Sequence, residues 1–228
     1  MKIFINAKLQ RCKDTNEFID FLRILLSLRI CVKIVAMLFD SFAKFYDSML
    51  APFEKRFLGR WRKETLSFLP ENAHILEIGA GTGANFKFYP NAKCAVASEI
   101  SVEMLQRALQ KNNSAQIIQA DAENLPFNAN SFDAAFATLV FCSIPKPENA
   151  FAELKRIVKK GGKIILLEHV RPKGLLGYTF DFFNVFSMLL IEDCFNRQTA
   201  KIAEISGLKV VEVKEKAFGI INLIICEA

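Results

Sequence analysis

The chain has 228 residues, of which 52% are hydrophobic, and it can therefore bury one substantial core without disulfide or metal staples. Its formal net charge of +6 comes from basic residues that share the polar faces of predicted helices with glutamates, without interleaved aromatics, which argues against nucleic-acid binding. Six widely spaced cysteines and two histidines indicate a cytoplasmic protein with reduced thiols and no metal site.

The N-terminal part of the chain divides into an extension over residues 1–36 and the start of a domain over residues 37–228. The apolar run at 18–39 contains Asp20 and Arg29, so it is too charged to span a membrane, and no secretory signal precedes it. We expect N-terminal helices with a wide apolar face, which either cover the core or lie on a membrane surface. The basic charge would suit peripheral contact with anionic lipid.

Three glycines on alternate positions follow a predicted buried strand at His74–Ile78. Gly79, Gly81 and Gly83 allow the backbone to approach a ligand that a Cβ atom would obstruct. A helix is expected to follow and to point its N-terminus at that ligand. The pattern predicts a nucleotide-binding turn.

Two acidic residues follow the next two predicted strands. Glu99 ends the strand at 93–98 and stands twenty residues after Gly79, the spacing at which an acid meets ribose hydroxyls. Asp121 and Ala122 follow the strand at 115–119, so Asp121 is a candidate acceptor for an adenine amino group. Both carboxylates are expected at the carboxyl edge of a parallel sheet.

Strands and helices continue to alternate along the rest of the chain, which predicts a doubly wound parallel sheet. An apolar insert rich in phenylalanine interrupts this alternation after the fifth strand, and its charged residues argue against a membrane span. The predicted elements are strands at 132–139, 163–168, 207–213 and 219–226, a helix at 148–159 and the insert at about 174–197.

The succession of motifs resembles a class I S-adenosylmethionine-dependent methyltransferase over residues 38–226, and is most similar to the ubiquinone/menaquinone C-methyltransferase-like group and its relatives acting on lipids and thiols. The resemblance implies a Rossmann-like α/β fold whose seven-stranded sheet is mostly parallel with an antiparallel last strand. It also implies a helical lid over the substrate side, formed by the insert. The motifs are EIGAGTG, ASEIS with Met104, ADAENLPF, SFDAAFATLVFCSI and RIVKKGGKIILLEHV.

The resemblance also implies a cofactor and a set of residues that bind it. S-adenosylmethionine would donate its methyl group by in-line displacement to a small apolar acceptor, such as a quinol precursor, a lipid amine or a thiol. Glu77 would steady the loop or bind the cofactor's amino group, with a cap or a salt bridge as the alternative. The implied cofactor-binding residues are Glu77, Gly79, Ala80, Gly81, Gly83, Glu99, Ile100, Asp121, Ala122 and Thr138.

Two residues are candidates for the catalytic step. His169 follows the fifth strand at the ligand-bearing edge, where it would act as the base for a carbon acid or a thiol, or serve as a hydrogen-bonded structural histidine. Tyr46 belongs to an upstream Tyr-Asp-x-Met element and would contact the acceptor or the cofactor, or pack within a helix.

Two other classes of function remain open. Residues 79–84 also satisfy the dinucleotide fingerprint G-x-G-x-x-G/A, which predicts an NAD-dependent oxidoreductase with Glu99 as its ribose ligand. A methyltransferase-like fold that binds without turnover is the third class. The sequence leaves the oligomeric state open.

Overall fold

The computed structural model describes Ser48 and residues 51–111, 115–170 and 197–228. The expected extension at 1–36, the candidate catalytic residue Tyr46 and the expected lid up to residue 196 lie outside the described residues. Within the described part of the chain, no helix is long and apolar enough to cross a membrane.

Seven strands form one sheet with the order β3-β2-β1-β4-β5-β7-β6. The strands β1 to β5 pair in parallel, and β7 runs antiparallel to both β5 and β6. This arrangement confirms the predicted Rossmann-like sheet with an antiparallel last strand. The strands are β1 (His74–Ile78), β2 (Cys94–Glu99), β3 (Gln116–Gln119), β4 (Phe132–Thr138), β5 (Val158–His169), β6 (Lys209–Lys216) and β7 (Ile221–Glu227).

Four α-helices are described around the sheet, and a π-helical turn at Glu54–Leu58 leads directly into the first of them. The third begins with Pro147, whose missing N–H has no helical partner at that position in any case. It ends at Ile157, two residues before the predicted end, because Val158 is already extended and begins β5. The helices are α1 (Gly59–Leu66), α2 (Val102–Lys111), α3 (Pro147–Ile157) and α4 (Thr199–Ile205).

The prediction of a helix after the glycine turn is wrong. The chain there forms turns and a three-residue 3-10 helix at Phe86–Phe88. Gly83 holds a left-handed φ of +78° and Pro90 follows seven residues later, so little room is left for α-helical turns. A ligand at this loop therefore meets no long helix N-terminus, and its binding has to be explained by side chains and loop backbone.

Both faces of the sheet are covered. The face that carries α3 and α4 holds Phe141, Phe151 and Leu154, and the opposite face packs under Leu58 and Leu66 from the α1 region. Burial on both faces explains why the β4 sequence Ala134 to Ala137 is continuously apolar rather than alternating. Since both faces are covered, a ligand can reach the sheet only at the ends of its strands.

Phe151 provides a test of this core, because it is fully buried and its ring stacks on Phe141 with centroids 4.4 Å apart. We expect Phe151→Ala to lower the free energy of unfolding by about 3–5 kcal/mol. Phe218→Ala is the matched control, since Phe218 is 97% exposed, and its effect should stay within about 0.5 kcal/mol. Urea unfolding followed by circular dichroism measures both. Equal losses in the two variants would contradict this assignment of the core.

Candidate functional site

A cleft opens at the carboxyl ends of β1 to β4, and it encloses about 940 Å³ of empty space when the adjoining open solvent is included. The strand order reverses beside β1, which is the position where open α/β sheets bind their ligands. Topology and cavity therefore point to the same edge of the sheet.

Most of the predicted cofactor residues line this cleft, while Glu77 and Gly83 do not. They follow the order of the strands, with Asp121 after β3, Glu99 at the end of β2, the glycine turn after β1 and Thr138 at the end of β4. We call Asp121, Glu99, Gly81 and Thr138 the edge row. The predicted residues in the lining are Gly79, Ala80, Gly81, Glu99, Ile100, Asp121, Ala122 and Thr138.

Two glycines shape the turn between β1 and the cleft. Gly79 has a φ of +62°, and a Cβ atom there would come within 2.5 Å of the Val140 side chain. Gly81 has a φ of +54°, but a Cβ atom there would meet nothing within 4 Å. Gly79 therefore permits close packing against the loop after β4. Gly81 leaves space in the cleft wall that any side chain would fill.

The carboxylate of Glu99 is held by backbone N–H groups on two sides. Oε2 accepts a hydrogen bond of 2.8 Å from Gly81, and Oε1 accepts bonds of 2.8 Å from Ile100 and 3.0 Å from Ser101. These bonds fix the carboxylate at the end of β2 and tie it to the glycine turn. A fixed carboxylate in the cleft wall is suited to accept hydrogen bonds from sugar hydroxyls.

Asp121 is held in a similar way beyond β3. Its Oδ1 accepts a hydrogen bond of 2.9 Å from the backbone of Glu123, which closes a turn around the side chain. Asp121 is half-buried and lines the cleft together with Ala122. This end of the cleft thus offers a carboxylate acceptor beside a small apolar residue.

Glu77 lies beneath the glycine loop and not on the cleft wall. Its side chain is fully buried and accepts hydrogen bonds from Asn85 Nδ2 and from the Tyr89 hydroxyl. Burial raises the pKa of Glu77, against the lowering effects of these two bonds and of the nearby Arg62 charge. Of the two expected roles, the bonds favour steadying the loop, since both partners follow the glycine turn.

Arg62 is one of the basic residues that the sequence places on the polar faces of predicted helices, and for this residue the prediction is wrong. The residue is 5% exposed and lines the cleft. Its Nε donates a bond of 3.0 Å to Glu54, and its Nη1 donates to Asn85 Oδ1 at 3.1 Å and to Thr138 Oγ1. A signal is present in the sequence, since Arg62 stands four residues from both Leu58 and Leu66 and so shares their apolar helix face.

The loop after β4 extends the wall of the cleft beyond Thr138. The backbone N–H of Val140 donates a bond of 3.0 Å to the buried carboxylate of Glu168. Arg197 Nη1 donates to the carbonyl oxygens of Phe141 and Ile144. These bonds connect residues 28 and more than 50 positions apart, so no local pattern could have revealed them.

His169 is the last residue of β5 and pairs with Ile221 of β7. It is half-buried at the carboxyl edge of the sheet, as predicted, but it is not among the residues that line the cleft. Its catalytic role stays a prediction, as does that of Tyr46, which lies outside the described residues.

Comparisons with known proteins show similarity to methyltransferases. Residues 76–166 match the family model described as a methyltransferase domain. The chain is 30% identical over 141 residues to a demethylmenaquinone methyltransferase of Paenarthrobacter aurescens, covering 60% of this chain and 56% of that protein. It is 35% identical over 111 residues to a thiol S-methyltransferase of Mus musculus, covering 45% and 46%. A methyltransferase structure from Thermotoga maritima superposes with a TM-score of 0.67 at 23% identity, covering 84% and 98%.

Residues 76–166 of the chain are thus similar to the methyltransferase domain of class I S-adenosylmethionine-dependent methyltransferases. Within that class the chain is similar to proteins of the ubiquinone/menaquinone C-methyltransferase-like group. It spans little more than half the length of the first curated relatives that it matches. The cofactor of the class is S-adenosylmethionine, and the cleft fits it, because Gly81 leaves open space beside a carboxylate suited to a ribose.

The raised pKa of Glu77 predicts a pH dependence of stability. The ordinary pKa of a glutamate carboxyl, 4.5, applies to the unfolded chain, and the pKa of Glu77 in the folded state is higher. The folded state therefore retains the Glu77 proton at pH values where the unfolded chain has released it. The contribution of this proton to the free energy of unfolding is therefore fully present below the unfolded-state pKa, and it is lost as the pH rises through the folded-state pKa. A glutamine side chain does not titrate, so we expect the unfolding free energy of the wild type to fall relative to Glu77→Gln as the pH rises.

Urea unfolding of the wild type and of Glu77→Gln between about pH 4 and 8 measures this difference. Glu148→Gln, on the exposed surface of α3, is the control for replacing a carboxylate by an amide. A difference that grows in favour of the wild type with rising pH would contradict the assigned direction of the pKa.

Proposed function

We propose that the protein transfers the methyl group of S-adenosylmethionine to a small, apolar acceptor such as a quinol precursor, a lipid amine or a thiol. The edge row carries this proposal. It places two carboxylates, an open glycine position and a threonine hydroxyl in sequence along the ends of four adjacent strands. Such a row matches an elongated ligand with adenine and ribose at one end and an amino acid portion at the other.

Two of the relatives act on different acceptors. One is named a demethylmenaquinone methyltransferase and another a thiol S-methyltransferase. This supports a shared cofactor with a variable acceptor, as expected when function depends on sites added to a common fold. The apolar character of the proposed acceptor is supported by Leu139, Val140 and Ile144, which line the cleft beyond Thr138.

The proposed roles follow from the positions in the cleft. Asp121 and Ala122 would hold the adenine, Glu99 would accept hydrogen bonds from the ribose, and the glycine turn would let the backbone approach the ligand. S-adenosylmethionine, when bound, supplies an electrophilic methyl group on a sulfonium. The protein would then contribute by aligning the acceptor and excluding water, and such positioning supplies roughly 7–11 kcal/mol in favourable cases.

The nicotinamide alternative uses the same turn and the same Glu99. The family match favours the methyltransferase, and a binding experiment separates the two. We expect S-adenosylmethionine and S-adenosylhomocysteine to raise the melting temperature, and NADH to leave it unchanged. Ligand at 100 times its dissociation constant stabilises the folded state by about 2.7 kcal/mol, which a melting scan resolves.

Gly81 gives this experiment a matched pair of variants. Gly81 and Gly161 both have a left-handed φ and open space at the Cβ position, but Gly161 is an exposed residue of β5 away from the cleft. Each change to alanine should cost about 1–2 kcal/mol of backbone strain. We expect only Gly81→Ala to lower the affinity for S-adenosylhomocysteine, by roughly tenfold or more, in isothermal titration calorimetry. Equal affinities in the two variants would count against the proposed cofactor position.

The acceptor is found by incubating the protein with S-adenosylmethionine and quinol, lipid-amine and thiol candidates, and by detecting the methylated product by mass spectrometry. If the protein binds the cofactor but methylates none of the three classes of candidate acceptor, the non-catalytic alternative is favoured. Product from one class alone would identify the acceptor chemistry.

His169 is proposed as the base that removes the acceptor proton if the acceptor is a carbon acid or a thiol. We expect His169→Gln to lower kcat by roughly 10²–10⁴-fold with little change in the affinity for S-adenosylhomocysteine, because a base acts on the reaction step. His74→Gln is the matched control, since His74 begins β1 at the opposite edge of the sheet. Unchanged turnover in His169→Gln would leave His169 with a structural role only.

A further inference from the structure

The cleft is charged unevenly along its length. Its two carboxylates, Glu99 and Asp121, belong to the β2 and β3 side. Among the described residues that line the cleft, Arg62 is the one basic side chain, and it lies against Thr138 at the β4 side. A ligand that spans the edge row would therefore meet acceptors at one end and a cation at the other.

The guanidinium of Arg62 is held in a fixed orientation. Nε is bonded to Glu54, and Nη1 is bonded to both Asn85 and Thr138. Within the described part of the chain, Nη2 donates no hydrogen bond. Because a guanidinium presents its N–H groups in a rigid fork, fixing Nε and Nη1 also fixes the direction of the Nη2 donors.

The loop after β1 gives this cation added importance. A long helix N-terminus at that loop would attract an anionic group by its dipole and its free N–H groups. The loop contains only the 3-10 helix at Phe86–Phe88, which is too short to provide that attraction. A negative group placed beside Thr138 therefore depends on side-chain charge, and Arg62 supplies it.

We propose that Arg62 binds the carboxylate of the methionine portion of S-adenosylmethionine. This inference rests on the proposed function and adds a residue to its site. The carboxylate is the one anionic group of that cofactor. If the adenine lies at Asp121 and the ribose at Glu99, the methionine portion extends past Gly81 towards Thr138, where Arg62 lines the wall. An arginine paired with a carboxylate in a buried site forms short, charge-assisted hydrogen bonds.

A purely structural role for Arg62 makes a different prediction. Arg62 links α1 to Thr138 at the end of β4, so its removal could disturb the cleft and weaken every ligand equally. A carboxylate-binding role weakens only those ligands that carry the carboxylate. The decisive quantity is therefore the ratio of two affinities and not the affinity for one ligand.

The experiment compares S-adenosylmethionine with its decarboxylated analogue, which differs by the carboxylate alone. Isothermal titration calorimetry measures both dissociation constants for the wild type, Arg62→Gln and Arg62→Lys. We expect the wild type to prefer the carboxylate-bearing ligand by roughly 10- to 100-fold, as for a hydrogen bond between charged groups. In Arg62→Gln the preference should fall to within about threefold, and Arg62→Lys should retain part of it.

Arg56→Gln is the matched control, because Arg56 is an exposed residue of the same helical segment. It should keep the wild-type preference. A preference that persists in Arg62→Gln while both affinities fall would overturn the inference and leave Arg62 structural. A wild type that binds both ligands equally would also overturn it, without need of any variant. Failure of the wild type to bind S-adenosylmethionine at all would instead overturn the proposed function.

Discussion

The structure depends on one buried side chain, the amide of Asn85. Its carbonyl oxygen accepts from Arg62, and its nitrogen donates to Glu77 and to Thr138. Ionisable groups are costly to bury unless each has polar partners, and one neutral amide here joins a cation to a carboxylate without leaving either unsupported. The helix α1, the loop after β1 and the end of β4 are thereby fixed to one another. The shape of the cleft follows from this connection.

The same network sets the electrostatic character of the cleft. Glu77 is withdrawn beneath the loop, where burial raises its pKa, and its carboxyl group faces the protein interior. Arg62 remains on the cleft wall, and Glu99 is tied to backbone N–H groups on the other side of the turn. Both ends of the cleft are therefore fixed before a ligand arrives, and binding has to order few side chains.

The order of the strands along the chain and the carboxylates at their ends could be predicted from the sequence, because both depend on short stretches of chain. Glu99 and Asp121 directly follow buried strands, and parallel strands carry such residues to a common edge. The prediction of a helix after the glycine turn is wrong because Gly83 and Pro90 interrupt it, a conflict that is visible in the sequence itself. The burial of Arg62 depends on Asn85 and Thr138, which are 23 and 76 residues away. Long-range contacts of that kind leave little trace in local patterns, apart from the four-residue spacing to Leu58 and Leu66.

The part of the chain that matches the family model also separates the proposed binding of the cofactor from the proposed choice of acceptor. Residues 76–166 contain the whole edge row, whereas Arg62 and His169 lie on either side of that span. Two relatives are named for different acceptors, one of the quinone type and one a thiol, so a cofactor site shared with them would not by itself choose between acceptors. Under the proposed function, acceptor choice would then come from residues that approach the methyl group from other segments. His169 is the described candidate, because β5 carries it past Thr138 to the same edge without making it part of the cofactor wall.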